Sequence, residues 1–170
     1  MEKRENAPLL EVKNLSVEYR TDAEVVKAVN GVNLSLNANE ALGLVGETGA
    51  GKTTTCRAII GLVQTPPGKV TSGEVYFEGK DLLKKKEREM RKIRGGDITM
   101  VFQDPMTSLN PSMTVGDQIM EVIRLHDKIS RAEAVLRAKE MLEMVGIPGA
   151  RYSEYPHQFS GGMKQRVVIA

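Results

Sequence analysis

The first part of the chain alternates apolar and polar residues, which is the pattern of strands with one buried face. Residues 9–19 alternate in this way, and 25–29 and 32–36 repeat the pattern with Asn30-Gly31 between them. Asn-Gly between two such runs is a strong hairpin signal. The pattern therefore predicts an antiparallel β-layer with a tight turn at Asn30-Gly31.

From residue 41 the pattern becomes that of strands alternating with helices. Residues 41–45 are almost all apolar, as in a strand that is buried on both faces. A glycine-rich turn follows, and 52–62 then predict a helix. The further elements predicted here are a loop at 64–72, a strand at 73–77, a turn at 78–79, a charged helix at 82–94 and a buried strand at 98–102.

The last part of the chain is predicted to be helical. Apolar residues at i, i+3 and i+4 predict helices at 115–125 and 131–145, with Thr114 and Ser130 as N-caps. A loop at 148–159 leads to a final helix that begins near Ser160. The buried stripe of the second helix is predicted to be Ala134, Val135, Ala138, Met141, Leu142 and Val145.

Composition limits the classes of function without choosing one. A net charge of +2 and the absence of Trp give no sign of a nucleic-acid partner. No apolar run approaches the roughly 18 residues of a membrane span. The single Cys56 cannot form an internal disulfide, and we expect it to be buried on its helix. These features predict an intracellular domain.

The glycine-rich turn at residues 46–53, GETGAGKT, fits the phosphate-binding pattern G-x-x-x-x-G-K-[ST]. Its glycines allow backbone N–H groups to converge on an anion, and the helix that follows adds its positive end. Lys52 can contact the β- and γ-phosphates, and the Thr53 hydroxyl can bind Mg²⁺. The predicted nucleotide-binding residues are Gly46, Glu47, Thr48, Gly49, Ala50, Gly51, Lys52, Thr53 and Thr54. This loop alone leaves kinases, GTPases and transport ATPases open.

A second motif selects among these families. Residues 159–166, FSGGMKQR, resemble the signature motif of ABC ATPases, usually written LSGGQ-x-QR. Ser160 is a good N-cap, and two glycines at a helix start expose backbone N–H groups to an anion. The resemblance implies that Ser160, Gly161 and Gly162 contact, across a dimer, the γ-phosphate held by the other subunit. A P-loop kinase would leave this motif unexplained.

Two more positions acquire roles through the same resemblance. Residues 101–105, VFQDP, resemble the Q-loop of ABC ATPases. Gln103 would there contact Mg²⁺ or the attacking water, and it would join Lys52 as a catalytic residue. Tyr19, at the end of the first predicted strand, matches the aromatic residue that stacks on adenine in this family.

The variants of these motifs narrow the resemblance to one subfamily. Residues 102–111, FQDPMTSLNP, together with Phe159 and Met163 in place of the usual Leu and Gln, resemble ATPase subunits of oligopeptide, dipeptide and nickel importers. The implied fold is α/β, a P-loop NTPase core with an antiparallel β-layer and a helical subdomain. The implied cofactors are ATP and Mg²⁺. The predicted division is a β-layer and core at 1–102, a helical subdomain at 103–159 and the signature motif with its helix at 160–170.

The resemblance also implies a place in a larger assembly. Such a subunit couples ATP binding and hydrolysis to peptide import, as a peripheral protein on the cytoplasmic side of the cell membrane. Its implied partners are a second ABC ATPase subunit, two transmembrane permeases and, through them, an extracytoplasmic solute-binding protein, with no nucleic acid. Three alternatives stay open: import of nickel or another small solute, a non-transport ABC ATPase, and a nucleotide-binding fragment that does not hydrolyse ATP.

The family's remaining catalytic residues follow the signature helix. They are the Walker B strand, which ends in Asp-Glu, and a switch histidine further on. The sequence ends at Ala170, and both His126 and His157 precede the signature, so neither can be the switch residue. We therefore expect the 170 residues to be incomplete at the C-terminus and inactive as an ATPase on their own.

Overall fold

The computed structural model describes residues 7–102 and 108–170. It divides into two compact units, Met1–Ile98 and Thr99–Ala170, which we call the β unit and the helical unit. Within the described parts of the chain, no helix combines the length and the apolar character needed to cross a membrane.

The β unit contains a four-stranded antiparallel sheet in the order β2-β1-β3-β4. Val12, Leu15 and Val17 of β1 are fully buried. Their spacing departs from strict alternation because Asn14, at φ 47°, lies where the register shifts between Val12 and Leu15. The antiparallel layer predicted from the sequence is confirmed. The strands are β1 Leu10–Arg20, β2 Val25–Leu36, β3 Gly68–Phe77 and β4 Lys80–Asp81.

The predicted hairpin at Asn30-Gly31 is wrong, because β2 continues through this dipeptide. Gly31 has φ 62°, and its N–H donates to Ser16 Oγ at 3.0 Å across the sheet. The strand register shifts at the same place. The chain reverses instead at residues 21–24, where the Thr21 N–H donates to Glu24 O at 3.0 Å. A glycine with positive φ suits a bulge as well as a turn, so the dipeptide alone does not distinguish them.

The two predicted buried strands at 41–45 and 98–102 are also wrong. Leu42, Leu44 and Val45 are 49%, 44% and 94% exposed, and Val101 and Phe102 are exposed too. Among the described residues, the only pairing of these segments is a single bridge between Arg94 and Ile98. An apolar run shows that a segment favours burial, but a strand also needs a hydrogen-bonded neighbour.

Two helices complete the β unit, α1 Lys52–Ile59 and α2 Glu87–Ile93. Helix α2 is shorter than the predicted 82–94. It begins late because the Glu89 carboxylate accepts the Lys86 N–H at 3.0 Å and so sets the helix start. The predicted loop at 64–72 extends too far, because residues 68–72 belong to β3, which begins at Gly68 directly after two prolines.

The helical unit follows its predicted pattern closely. The Thr114 hydroxyl caps α3 by accepting the Asp117 N–H at 3.1 Å, and the Ser130 hydroxyl caps α4 by accepting the Glu133 N–H at 3.2 Å. Its elements are α3 Val115–His126, α4 Arg131–Met144, 3-10 turns at Gly149–Ser153 and Pro156–Gln158, and α5 Gly161–Ile169. The predicted stripe is confirmed: Ala134, Ala138 and Leu142 are fully buried, and Val135, Met141 and Val145 are partly buried.

The core of the helical unit joins α5 to the other two helices. Phe159 and Val167, on either side of the start of α5, belong to the same buried cluster as Ile119 and Leu142. Burial of four such side chains contributes several kcal/mol at about 25 cal/mol per Å² of apolar surface. The start of α5 is therefore fixed by packing as well as by its cap. Cys56 of the β unit, by contrast, is exposed, so the expectation that it would be buried is wrong.

Gly116 offers a test of this packing. A methyl group on Gly116 would lie 2.0 Å from Cδ2 of Tyr152, whose hydroxyl donates to Asp117 Oδ1 at 3.0 Å. We expect Gly116→Ala to lower the free energy of unfolding by about 1–3 kcal/mol through overpacking, measured by urea unfolding. Gly162→Ala is the matched control, because the added methyl would meet nothing within 4 Å in the described chain apart from its two chain neighbours and the nearby backbone of its own helix. Equal midpoints for the two variants would contradict the packing described.

Candidate functional site

The glycine-rich turn before α1 requires glycine at two positions. Gly49 has φ 86° and Gly51 has φ 83°, in the left-handed region where side chains are strained. Gly51 is also close to β2, since a methyl group there would lie 2.1 Å from Ala28 O. Gly46 has less restriction, with Ala50 Cβ at 3.2 Å from the corresponding position. The glycines of the motif are therefore demanded by the backbone path.

The first turn of α1 contains no acidic side chain that would offset the positive end of the helix. The first backbone N–H groups of a helix have no intrahelical acceptor. The Thr55 N–H and hydroxyl both donate to Gly51 O, at 2.8 and 2.9 Å, and fix the first turn. The N-cap Gly51 has no side chain, and the first turn holds no acidic residue. The positive end of the helix dipole is therefore not neutralised locally, which favours an anion.

The side chain of Lys52 folds back over the glycine-rich turn that precedes it in the sequence. Its ammonium donates to Gly46 O and to Glu47 O, both at 2.6 Å. Residues 46–50 are exposed, so the ammonium and the turn are accessible together. Thr53 is exposed on the next position of the helix and Thr54 is half-buried. A cation, a helix start and left-handed glycines within nine residues form a set that fits polyphosphate.

The structure describes one of the two remaining nucleotide-site predictions. Tyr19 is half-buried near the end of β1, and its ring lies across the sheet against Gly68, where a methyl group would be 2.8 Å from Tyr19 Cε1. Stacking of this ring on adenine stays a prediction. Gln103 lies outside the described residues, so its assignment to catalysis and to Mg²⁺ stays a prediction as well.

The residues available for Mg²⁺ are few. In residues 7–102 and 108–170, no three His, Cys, Asp or Glu side chains are grouped so that they could hold a metal ion. Mg²⁺ is commonly bound in nucleotide sites by one or two protein oxygens together with phosphate oxygens and water. The exposed Thr53 hydroxyl fits that kind of site, in which phosphate oxygens of the nucleotide and water supply the other ligands.

The signature segment differs from the phosphate-binding turn in what its glycines do. The Ser160 hydroxyl caps α5 by accepting the Met163 N–H at 3.3 Å, and Gly161 and Gly162 are the first two helical residues. A methyl group on either glycine would meet nothing within 4 Å in the described chain apart from its two chain neighbours and the nearby backbone of its own helix. Glycine in a helix costs up to about 1 kcal/mol relative to alanine. Neither local packing nor a positive φ explains these two glycines.

Two arginines beside these motifs were not foreseen from the sequence. Arg94 donates to Ile60 O at 2.7 Å and to Gly61 O at 2.9 Å, at the C-terminal end of α1. Its third contact, to Glu87 at 2.9 Å, holds the pKa of that carboxyl below its usual value. Arg94 therefore anchors the end of α1 opposite the phosphate-binding turn. No local sequence signal connects residue 94 with residue 60.

Arg151 lies at the start of α5, beside the signature segment, with Phe159 and Met163 as its contacts. It pairs with Glu154, whose Oε2 accepts from both Nε and Nη2, and this hydrogen bonding lowers the pKa of Glu154 and raises that of Arg151. Both groups are therefore charged at neutral pH. The i, i+3 spacing of the pair was visible in the sequence, but its contact with the signature segment was not.

The family to which the chain belongs is shown by comparison with known proteins. A family model described as "ABC transporter" matches residues 29–170. The chain belongs to the ABC transporter family.

Two similar curated proteins are named as ATP-binding proteins of peptide transport. The chain is 54% identical over 164 residues to the oligopeptide transport ATP-binding protein OppD of Bacillus subtilis (strain 168), covering 95% of this chain and 46% of that protein. It is 49% identical to the dipeptide transport ATP-binding protein DppD of the same organism, covering 95% and 49%. The chain thus spans about half the length of the curated relatives it matches.

Solved structures confirm the fold class. A dimeric bacterial ABC transporter cassette matches with a TM-score of 0.82 and 30% identity, covering 94% of this chain and 67% of that one. A dimeric cassette in a post-hydrolysis state bound to ADP and Pi matches with a TM-score of 0.80 and 29% identity, with the same coverage. The α/β fold of an ABC ATPase cassette predicted from the sequence is confirmed.

Gly51 and Gly49 allow a matched test of the phosphate-binding turn. Both have positive φ, but only Gly51 has a backbone atom in the way of a side chain. We expect Gly49→Ala to destabilise the protein by about 1–2 kcal/mol through backbone strain alone. Gly51→Ala should cost more and should also abolish ATP binding, because the start of α1 must move away from β2. Urea unfolding and calorimetric titration with ATP measure both effects. Equal losses in the two variants would contradict the role of the contact with Ala28.

Proposed function

We propose that this chain is the nucleotide-binding part of an ATPase subunit that powers peptide import by an ABC transporter. The observation that carries the proposal is the turn at residues 46–51, in which left-handed glycines, an unneutralised helix start and the Lys52 ammonium occur together. Membership of the ABC transporter family and similarity to oligopeptide and dipeptide transport proteins support transport and peptide cargo.

Each residue of the turn has a role in holding ATP. Backbone N–H groups of residues 46–54 would donate to phosphate oxygens, and Lys52 would exchange its carbonyl acceptors for the β- and γ-phosphates. Thr53 would bind Mg²⁺, which neutralises charge that develops on the phosphates. Tyr19 would stack on adenine, and Gln103 would orient the attacking water and contact the Mg²⁺. Lys52 and Gln103 are the catalytic residues of this proposal.

The open surroundings of Gly161 and Gly162 support a second phosphate contact. The helical unit does not need glycine at these two positions. The absence of side chains there is explained if another group must come close to the backbone. We assign that group as the γ-phosphate held by the phosphate-binding turn of a second ATPase subunit. Ser160 would donate its hydroxyl there while its oxygen also caps α5. ATP binding would then close a dimer, and hydrolysis would open it.

The proposed assembly follows from this cycle. Two such subunits, identical or related, would associate with two transmembrane permeases, which receive peptide from an extracytoplasmic solute-binding protein. The chain would be peripheral, on the cytoplasmic side of the membrane, and held there by protein contacts. The opening and closing of the ATPase dimer would drive the permeases between their two orientations.

Lys52→Ala tests the nucleotide site and the cargo together. Loss of a charge-assisted bond to phosphate removes about 1.5–3 kcal/mol, so ATP binding should weaken at least tenfold. The exposed Lys92→Ala on α2 is the control, and it should leave binding unchanged. In cells whose only copy of the natural full-length subunit carries Lys52→Ala, uptake of radiolabelled peptide should stop while uptake of nickel continues. Continued peptide uptake, or loss of nickel uptake instead, would refute the proposed cargo.

Gly161→Ala and Gly162→Ala test the signature segment separately. Each should leave ATP binding unchanged and leave the protein as stable as before or more stable, by up to about 1 kcal/mol. Dimerisation driven by the non-hydrolysable analogue AMP-PNP should be lost in both, since the added methyl groups block the approach of phosphate. Light scattering after size-exclusion chromatography measures this. Normal dimers in both variants would show that the open glycines do not serve a partner.

A further inference from the structure

We propose that Arg151 is a positioning residue for the signature segment, acting through the two side chains at which this segment departs from the usual pattern, Phe159 and Met163. The proposal rests on the proposed function of Ser160, Gly161 and Gly162 as a phosphate contact. It adds a residue outside the motif that determines where their N–H groups point.

The guanidinium of Arg151 contacts both sides of the motif. Its Cζ lies 4.3 Å from the ring centroid of Phe159, which is the distance of a cation–π contact. Its Nη1 donates to Met163 Sδ at 3.5 Å. Phe159 directly precedes the N-cap Ser160, and Met163 supplies the N–H that this cap accepts. The guanidinium of Arg151 thus contacts both Phe159, which precedes the N-cap, and Met163, whose N–H donates to the N-cap hydroxyl.

The remaining donors of Arg151 hold the guanidinium in place. Nε and Nη2 donate to Glu154 Oε2 at 2.8 and 2.5 Å, and Nη2 also donates to Gln158 O at 3.0 Å. Gln158 immediately precedes Phe159, so the approach to the motif is restrained in its backbone as well. The Arg151 side chain is 27% exposed, so most of it is removed from water. These contacts use the fork of donors that arginine has and lysine lacks.

The chemistry of the two partners explains their departures from the usual sequence. In place of the leucine and glutamine of the motif as it is usually written, Phe159 offers a π face to a cation and Met163 offers a polarisable sulfur. The charge of Arg151 is already paired with Glu154, so it adds little direct attraction for phosphate. Arg151 therefore acts on the position of the α5 start. A displacement of even about 1 Å there can prevent productive contact between its N–H groups and phosphate.

The first test compares Arg151→Lys with Arg137→Lys in the natural full-length protein. Arg137 pairs with Asp127 and Glu133 elsewhere in the helical unit and serves as the matched control. Arg151→Lys should weaken AMP-PNP-driven dimerisation about tenfold or more, with the ATP affinity of the monomer unchanged. Arg137→Lys should change neither. Unchanged dimerisation in Arg151→Lys would overturn the proposal. Absence of dimers in the unsubstituted protein would instead refute the proposed function.

A second test asks whether Arg151 acts through its two partners. In the double variant Phe159→Leu, Met163→Gln, the ring and the sulfur are gone, and Arg151→Lys should cause little further loss of dimerisation. An equal loss in both backgrounds would overturn the proposal. Glu154→Gln, which loosens the guanidinium without removing it, should give an intermediate loss, and this variant keeps the test decisive if Arg151→Lys folds poorly.

A spectroscopic measurement separates positioning from general stability. The methyl resonance of Met163, observed by NMR after ¹³C-methyl labelling of methionine and assigned with Met163→Leu, should shift in Arg151→Lys and in Glu154→Gln. The methyl resonance of Met144, an exposed residue at the end of α4 in the same unit, should not. If the Met163 resonance keeps its position in both variants, Arg151 does not hold this side chain and the proposal fails.

Discussion

The close approach of Gly51 to Ala28 is the contact on which the candidate site depends. It fixes the start of α1 against β2, and it can form only because Gly51 lacks a Cβ and adopts φ 83°. The orientation of the first helical N–H groups and the return of Lys52 into the turn both follow from it. Arg94 completes the arrangement by binding the carbonyls at the other end of α1, where the helix dipole is negative.

The two glycine motifs of this chain have different physical causes. Gly49 and Gly51 are required by the conformation and packing of their own unit, so an alanine there would be strained even with no nucleotide present. Gly161 and Gly162 have helical backbone angles and open surroundings, and their unit would gain helix propensity from alanine. A motif whose residues lower local stability without a local reason points to a partner. The contacts of Arg151 restrain the start of α5, where the two glycines make the backbone more flexible.

Several errors of the sequence-based prediction share one origin. Asn30-Gly31 signalled a positive φ correctly, but the neighbouring strand turned that glycine into a bulge by offering Ser16 Oγ to its N–H. Residues 41–45 and 98–102 signalled a preference for burial, yet a strand forms only where another strand supplies hydrogen bonds. The helix predicted at 82–94 is shortened to Glu87–Ile93 because the Glu89 carboxylate accepts the Lys86 N–H and sets the helix start. In each case the local preference was right and the outcome depended on a distant or competing partner.

The features predicted correctly from the residues alone follow local patterns. These are the caps at Thr114, Ser130 and Ser160, the buried stripe of α4, and the glycines of the phosphate-binding turn. The caps rest on contacts within about four residues and the stripe on the helical repeat, where spacing and geometry are nearly equivalent. The glycine pattern was visible in the sequence, but the contact of Gly51 with Ala28 was not. The binding of Arg94 to the end of α1, and the place of Arg151 between Phe159 and Met163, could be seen only in the folded chain. A long flexible side chain has many possible partners, and the fold selects one by bringing its acceptors to the guanidinium.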